Sequence, residues 1–423
     1  MPRLVHVVGA GLAGLAAAIE LQRHGVQVVL HEAAAYAGGR CRSYYDATLR
    51  ATIDSGNHVV MSGAHATLDY LRAIGAADAL VGPPRADFAF VDLAARARWT
   101  LRLSPGRLPW WVLDANARVP GSRALDYLSL LPLIGARPGR TVGQTMRCDG
   151  LLWQRLWRPF LLGALNVEPR DASAELAAAF VRETFAAGGD ACRPLVPRHG
   201  LGSAFVEPAL RMLQHGGAAI RLNSRLDAIA FDAASPRIAQ LNFADGGPVA
   251  LEADEAVVLA VPPAAARALV PAIETPRETR AIVNVHFAIE PPAGLRPLTA
   301  LVNGTGGWLF ARDGRLSVTI GAADALAGSP ADELARRVWA DVAAATSLPA
   351  APLPPWQVTT ERDATFAALP HEERRRSAPR TRWNNLTLAG DWTATGLPAT
   401  IEGAIRSGRK AAELLLTATL ERR

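Results

Sequence analysis

The apolar run Leu4-Val-His-Val-Val8 leads directly into Gly9-Ala-Gly-Leu-Ala-Gly14, and an alanine-rich stretch follows. A second apolar run, Val26 to His31, ends on Glu32, 18 residues beyond Gly14. Strand, G-x-G-x-x-G, helix, strand and terminal acid in this order form the fingerprint of a βαβ unit that holds a dinucleotide. Each part has a physical task. Gly9 permits the tight turn, Gly11 lets a pyrophosphate approach the backbone, and Gly14 lets helix and strand pack closely. The helix N-terminus, with the amides of Leu12 and Ala13, offers unpaired N–H groups and a positive dipole end to the anion. Glu32, followed by Ala33, is placed to accept hydrogen bonds from an adenosine ribose.

Gly38-Gly39-Arg40 adds a second loop of this chemistry, since an arginine can clamp a phosphate bidentately. At the other end of the chain, Leu388-Ala-Gly390-Asp391 places a carboxylate on a tight turn. The small residues of Gly396-Leu-Pro-Ala399-Thr400-Ile401-Glu-Gly-Ala404 let a flat ring approach the backbone. A helix beginning near Thr400 would point its dipole at that ring. A flavin, whose pyrimidine end gathers negative charge on reduction, suits such a position.

Composition narrows the rest. The 423 residues, half of them apolar, predict two to three domains. The net charge of +6 is spread along the chain, too diffuse for nucleic acid but compatible with an acidic cofactor or an anionic membrane surface. Cys41, Cys148 and Cys192 lie far apart, which gives neither a zinc site nor a disulfide framework and fits the reducing cytoplasm. No uncharged stretch reaches the length of a membrane span; Leu4 to Ile19 comes nearest.

Strands return after a Trp- and Leu-rich middle (Leu101 to about Arg193): Ala219–Leu222, Leu226–Phe231 and Glu255–Val261. Alternating runs at Ile282–Ile289, Ala300–Phe310 and Leu316–Ile320 predict an antiparallel sheet. A helix is expected over Asp332–Ala345 and another from Thr400 to about Leu416, with strands at Trp356–Thr360 and Leu386–Asp391.

Gly9–Gly14, Glu32, Gly38-Gly39-Arg40, Ala389-Gly-Asp391, Glu402-Gly-Ala404 and Ser407-Gly408 together resemble the FAD-binding signature of the flavin amine oxidase and phytoene desaturase superfamily. More narrowly the chain resembles the hydroxysqualene dehydroxylases, the squalene-associated FAD-dependent desaturase group of hopanoid biosynthesis. The segments that carry this are Gly38–Ser43, Ile53–His58, Trp157-Arg-Pro-Phe160 with Ala164-Leu-Asn-Val167, Ile282–Phe287 and Ala389–Ala404. Val167 departs from the group, which tends to carry Thr there. The resemblance implies an α/β fold, with a Rossmann-like FAD-binding domain of the glutathione reductase/amine oxidase type and an inserted α+β substrate domain. The expected boundaries are 1–85, 195–262 and 383–423 for the first, and 86–194 and 263–382 for the second. It also implies roles: Glu32 at the ribose, Arg40 and Asp391 at the pyrophosphate and ribityl region, and the Leu226 backbone at adenine. Ala399, Thr400 and Ile401 would meet the flavin pyrimidine edge, and Gly56, Asn57 and His58 would lie beside the isoalloxazine ring.

The implied reaction is reductive removal of the hydroxyl of hydroxysqualene, giving squalene. It needs an acid, a dry cavity and alignment of one carbon with the flavin. His58 and Glu402 are the candidate acids, Glu402 with the alternative of capping its helix. Carotenoid-type desaturation remains the rival reading. Amine oxidation is disfavoured, because Lys410, the only lysine, lies eight residues beyond Glu402. With no cysteine after Cys192, non-covalent FAD is expected. No second dinucleotide fingerprint appears, so the flavin's electron donor is unidentified. Trp110–Leu113 and Tyr127–Ile134, flanked by Arg107, Arg118, Arg123, Arg137 and Arg140, suit either shallow insertion at the inner membrane face or a place in the core or substrate tunnel.

Overall fold

The computed structural model describes residues 1–312 and 314–417; of the expected domain segments, residues 313 and 418–423 lie outside the described residues. Strand Leu4–Val8 sits at the centre of a five-stranded parallel sheet. Gln27–His31 and Glu255–Leu259 flank it, and Ala219–Arg221 and Leu386–Leu388 form the edges. A parallel sheet is covered on both faces, which is why its strands are continuous apolar runs. Val5, Val7, Val257 and Val258 are accordingly fully buried. The first helix, Leu12–Arg23, packs against the closing helix, Ile401–Thr417. A Cβ at Gly408 would lie 2.0 Å from the Ala13 carbonyl oxygen, so glycine is what lets the two ends of the chain meet.

A second sheet has seven strands, in the order Trp356–Phe366, Thr279–Ala288, Arg315–Ile320, Trp308–Arg312, Leu298–Val302, Asp87–Asp92 and Ala97–Arg102. The expected single run Ala300–Phe310 is in fact two strands, because Asn303 takes a left-handed conformation and opens a glycine-rich turn. The hairpin Asp87–Arg102, absent from the sequence expectation, completes this sheet by pairing in parallel with Leu298–Val302. Alternation along the strands separates the faces. Val283, Val285 and Phe287, with Leu316, Val318 and Ile320, pack on helix Ala331–Thr346 through Leu334, Val338 and Trp339. The opposite face carries Asn284, His286, Ser317 and Thr319, the first three of them buried.

A set of short helices with an aromatic core packs on the second sheet, Phe160 meeting Phe88 and Trp308. Phe185 meets Trp157 and Phe160 edge-on, with centroids 5.4 and 4.9 Å away. Asn166, left-handed at the end of helix Arg158–Leu165, pins this insert to the second sheet. Its Nδ2 donates to Thr365 Oγ1 at 2.9 Å and its Oδ1 accepts from the Ala322 N–H at 2.6 Å.

Candidate active site

Gly9 adopts φ +104°, and a Cβ there would lie 2.4 Å from the Ala260 carbonyl oxygen; one at Gly14 would lie 1.8 Å from that of Gly9. The protein itself therefore demands glycine at both positions. Gly11 differs, because a Cβ there would meet no protein atom within 4 Å. The chain has no internal reason for glycine at 11; close approach of a phosphate supplies one. Helix Leu12–Arg23 starts at Gly11 with no side-chain cap and no acid in its first turn. The N–H groups of Leu12 and Ala13 have no intrahelical acceptor. These features fit a bound pyrophosphate.

The other loops converge on this one. The Gly38 N–H donates to the Ala10 carbonyl at 2.8 Å, and Gly38 bridges Gly11, with Gly39 alongside. Arg40 donates to Asp391 Oδ1 and to the Ala364 carbonyl, both at 2.7 Å, which leaves its other N–H groups for an anion. The charge of buried Asp391 holds the Arg40 pKa above its ordinary value. The Gly390 N–H donates to Ser407 Oγ at 2.8 Å, so the closing helix fixes the turn that carries Asp391.

Glu32 organises its own surroundings. Its carboxylate accepts from the Ala10 and Ala34 N–H groups at 2.8 and 2.9 Å, and each oxygen keeps a lone pair for a ribose hydroxyl. Exposed Ala33 follows it. Ser224 N–H donates to the Glu32 carbonyl at 2.8 Å, which brings the start of strand Leu226–Phe231 to the same corner. Beneath lies a buried chain in which His6 meets His31 at 3.1 Å and His31 meets Ser224 Oγ at 3.0 Å. Burial, aided by His6 and Arg221, pushes the His31 pKa down to about 3.

Ser55 Oγ donates to the Arg40 carbonyl at 2.8 Å, which carries the turn Gly56-Asn57-His58 to the edge of the cradle. His58 Nδ1 lies 3.1 Å from the Gly56 carbonyl. A carbonyl only accepts, so Nδ1 carries the proton and the neutral ring presents an unprotonated Nε2. Burial lowers the His58 pKa below its ordinary value, opposed by the Gly56 carbonyl. Asn57 Nδ2 donates to Thr319 Oγ1 at 3.1 Å, and Thr319 Oγ1 donates to Asn284 Oδ1 at 2.7 Å.

Asn284 is the residue that sequence reasoning missed. Its oxygen also lies 3.5 Å from the Asn57 N–H and Nδ2, while its buried Nδ2 has no partner. That Nδ2 is 3.5 Å from where a Gly56 Cβ would stand. An unpaired buried donor costs about 1–3 kcal/mol, so one beside a proposed ring site fits an acceptor on a bound group. The signal was present: in Val283-Asn-Val-His-Phe287, Asn and His alternate with core side chains, and a buried polar face needs a reason.

Glu402 requires a correction. Its carboxylate accepts from the Ala66 N–H, the Thr67 N–H, Thr67 Oγ1 and Arg406 Nε, at 3.1, 2.8, 2.6 and 2.7 Å. The four donors occupy both oxygens, which suits a structural acceptor, and those from Ala66 and Thr67 cap helix His65–Ala73 rather than Glu402's own helix. Thr400 does the capping there, its Oγ1 accepting from the Gly403 N–H at 3.0 Å. The N–H groups of Ile401 and Glu402 have no intrahelical acceptor, so this helix start, with Ala399 before it, still presents a positive end. Lys410 is exposed and pairs with Glu413. A surface cleft of about 650 Å³ lies on the helical insert, but Asp149, Arg158, Glu168 and Arg170 line it, a poor match for an apolar chain.

Residues 12–416 match the family described as flavin containing amine oxidoreductase. The chain is 51% identical to a hydroxysqualene dehydroxylase of Rhodopseudomonas palustris, covering 99% of each. It is 49% identical to one of Sinorhizobium fredii, over 99% of this chain and all of that protein. Among solved structures, the cyclohexylamine oxidase of Brevibacterium oxydans aligns over the full length of both chains with a TM-score of 0.70 at 18% identity, a likeness of fold.

Proposed function

The chain belongs to the flavin-containing amine oxidoreductases, and within them to the hydroxysqualene dehydroxylases, and from this premise we propose that it reductively removes the hydroxyl of hydroxysqualene to give squalene. It is an FAD-dependent oxidoreductase. The observation that carries the reading is the full-length likeness to proteins of that name. In the balanced reaction, hydroxysqualene, anionic reduced FAD (FADH⁻) and a proton give squalene, oxidised FAD and water. The C–O bond breaks as the oxygen takes the proton, and a C–H bond forms on the resulting allylic cation. When bound, reduced FAD supplies the hydride.

The chain's own residues supply the rest. We assign the pyrophosphate to the Gly9–Gly14 and Gly38–Arg40 loops with Asp391, the ribose to Glu32, adenine to the Leu226 backbone and the pyrimidine edge to Ala399–Ile401. This makes 1–85, 195–262 and 383–423 the cofactor unit and 86–194 with 263–382 the substrate unit. His58 is the proposed acid, delivering its proton from Nε2 while Nδ1 stays on the Gly56 carbonyl. A depressed pKa makes its imidazolium a stronger acid than free imidazole, at the cost of fewer protonated molecules near neutrality. Asn284 Nδ2 is the proposed donor toward the group lying over Gly56. Two partners complete the reading, a separate reductant for FAD and an anionic membrane surface. Among the described residues no helix is long and apolar enough to cross a membrane.

Isotope placement tests the chemistry. Flavin N5–H exchanges with solvent, so turnover in D₂O should give squalene with one deuterium on the carbon that bore the hydroxyl. Squalene without that label, or a more unsaturated product, would overturn the reading in favour of another route or a desaturase.

A further inference from the structure

Twelve large apolar side chains stand exposed among the described residues, and six fall between positions 108 and 131: Leu108, Trp110, Leu113, Leu125, Leu128 and Leu131. Each is between 54% and 75% exposed. The local geometry explains why. Ala124–Leu130 is a 3₁₀ helix, with three residues per turn, so residues three apart eclipse one another. Ala124, Tyr127 and Leu130 form the inner ridge, with Tyr127 and Leu130 each only 8% exposed. Leu125, Leu128 and the following Leu131 form the outer ridge, and Asp126 and Ser129 the third face. The inner ridge is locked in place. Tyr127 meets Trp111 edge-on at 4.9 Å, and its hydroxyl accepts from the Val119 N–H at 2.9 Å. Trp111 is therefore core, and within Trp110–Leu113 it is Trp110 and Leu113 that face out.

The surroundings are cationic. Between residues 102 and 140 there are six arginines and two aspartates. Exposed Arg107, Arg123 and Arg137 have no carboxylate partner among the described residues, whereas Arg118 is turned inward onto the carbonyls of Val112 and Ser122.

We propose that the 3₁₀ helices Trp110–Leu113 and Ala124–Leu130, which pack together, are the face by which the protein docks on an anionic bilayer. Trp110, Leu113 and the outer leucine ridge enter the acyl boundary, and Arg107, Arg123 and Arg137 bind headgroup phosphates. Charge selects this occupant over a second copy of the chain, since a two-fold contact would set one arginine-rich face against another. The apolar substrate of the proposed reaction gives the docking a use, but the exposed leucine ridge and its arginines are there whatever the substrate.

Flotation of the flavin-loaded protein with phosphatidylcholine–phosphatidylglycerol vesicles, and with phosphatidylcholine alone, tests the proposal. Wild type should float with the anionic vesicles, and salt should weaken its binding. Leu125→Ser, Leu128→Ser and Leu131→Ser together should lower partitioning about tenfold or more while flavin content is unchanged. Arg107→Glu with Arg123→Glu and Arg137→Glu should remove the preference for anionic lipid. The proposal falls if wild type stays at the bottom of a low-salt gradient, or if the leucine variant floats as well as wild type. It also falls if sedimentation shows a dimer, without flotation, that the leucine variant converts to monomer. Turnover is scored separately in detergent, so protein that floats but does not dehydroxylate overturns the activity and not the docking.

Discussion

The proposed phosphate cradle and the proposed reaction pocket are built in opposite ways. At Gly9–Gly14 and Gly38–Gly39 the working groups are backbone amides and missing side chains, set by offsets within a few residues. At Gly56–His58 they are side chains, and Asn284 and Thr319 come from neighbouring strands far along the chain, matched only by sheet register. The first kind of site tolerates nothing in place of glycine. The second tolerates folding without function. A substitution should therefore reveal which kind of site it falls in.

The largest effect is expected at Gly14. Gly14→Val drives a side chain into the Gly9 carbonyl and should cost more than about 3 kcal/mol, with no flavin retained, by thermal unfolding and absorbance. Gly11→Val should purify colourless yet melt near wild type stripped of FAD, because only the ligand needs that space. If both variants melt alike, the distinction between protein-imposed and ligand-imposed glycine is wrong.

In the pocket, His58→Ala should keep FAD and slow turnover about 10²–10⁴-fold. In the proposed mechanism the active form is the imidazolium, and burial holds the His58 pKa below the usual histidine value. The wild-type rate should thus fall as pH rises from 6.5 to 8, about tenfold per unit if chemistry limits. A flat profile with His58→Ala near wild type would point to water or another residue as the acid.

Each region also buries one strongly shifted histidine, His31 under the cradle and His286 under the pocket, both with pKa values near 3 because burial disfavours the charged ring. The unfolded chain binds the extra proton below pH 6.5 and the native state does not, so stability is full above that value and falls with acidification. Each should contribute about 2 kcal/mol less at pH 5 than at pH 7. Denaturant midpoints for His31→Gln and His286→Gln should show a shallower loss; an unchanged slope in both would contradict the burial argument.

The smallest effect is expected at Glu402. Glu402→Gln should lose about 1 kcal/mol of stability, by weakening the Thr67 and Arg406 contacts, and leave turnover within a few-fold. A hundredfold loss of rate with an unchanged melting temperature would restore Glu402 as the acid.

The same contrast explains what was legible. Glu32 could be proposed as a ligand group because a βαβ unit places its terminal acid at a known distance from its glycines, whereas the roles proposed for Arg40 and Asp391 came from the family resemblance. Nothing in the neighbourhood of Glu402 announces that its partner is Thr67, 335 residues away. Asn284 was hidden for a similar reason: its meaning depends on Thr319 being opposite and on Gly56 approaching from a distant part of the chain. Of the exposed leucines of Ala124–Leu130, Leu128 sat in the segment Tyr127–Ile134 already marked as apolar and Leu125 lay just before it. Which of them face out follows from a three-residue period, which a helical reading at 3.6 would have assigned otherwise.

The claim on which everything rests is that reduced flavin in this cradle hands hydride to hydroxysqualene above His58. Anaerobic mixing of the fully reduced enzyme with hydroxysqualene measures it directly. The account predicts that the oxidised flavin band returns in a single turnover, with one squalene formed per flavin reoxidised. Flavin that stays reduced until air is admitted, with the hydroxysqualene recovered intact, would contradict it.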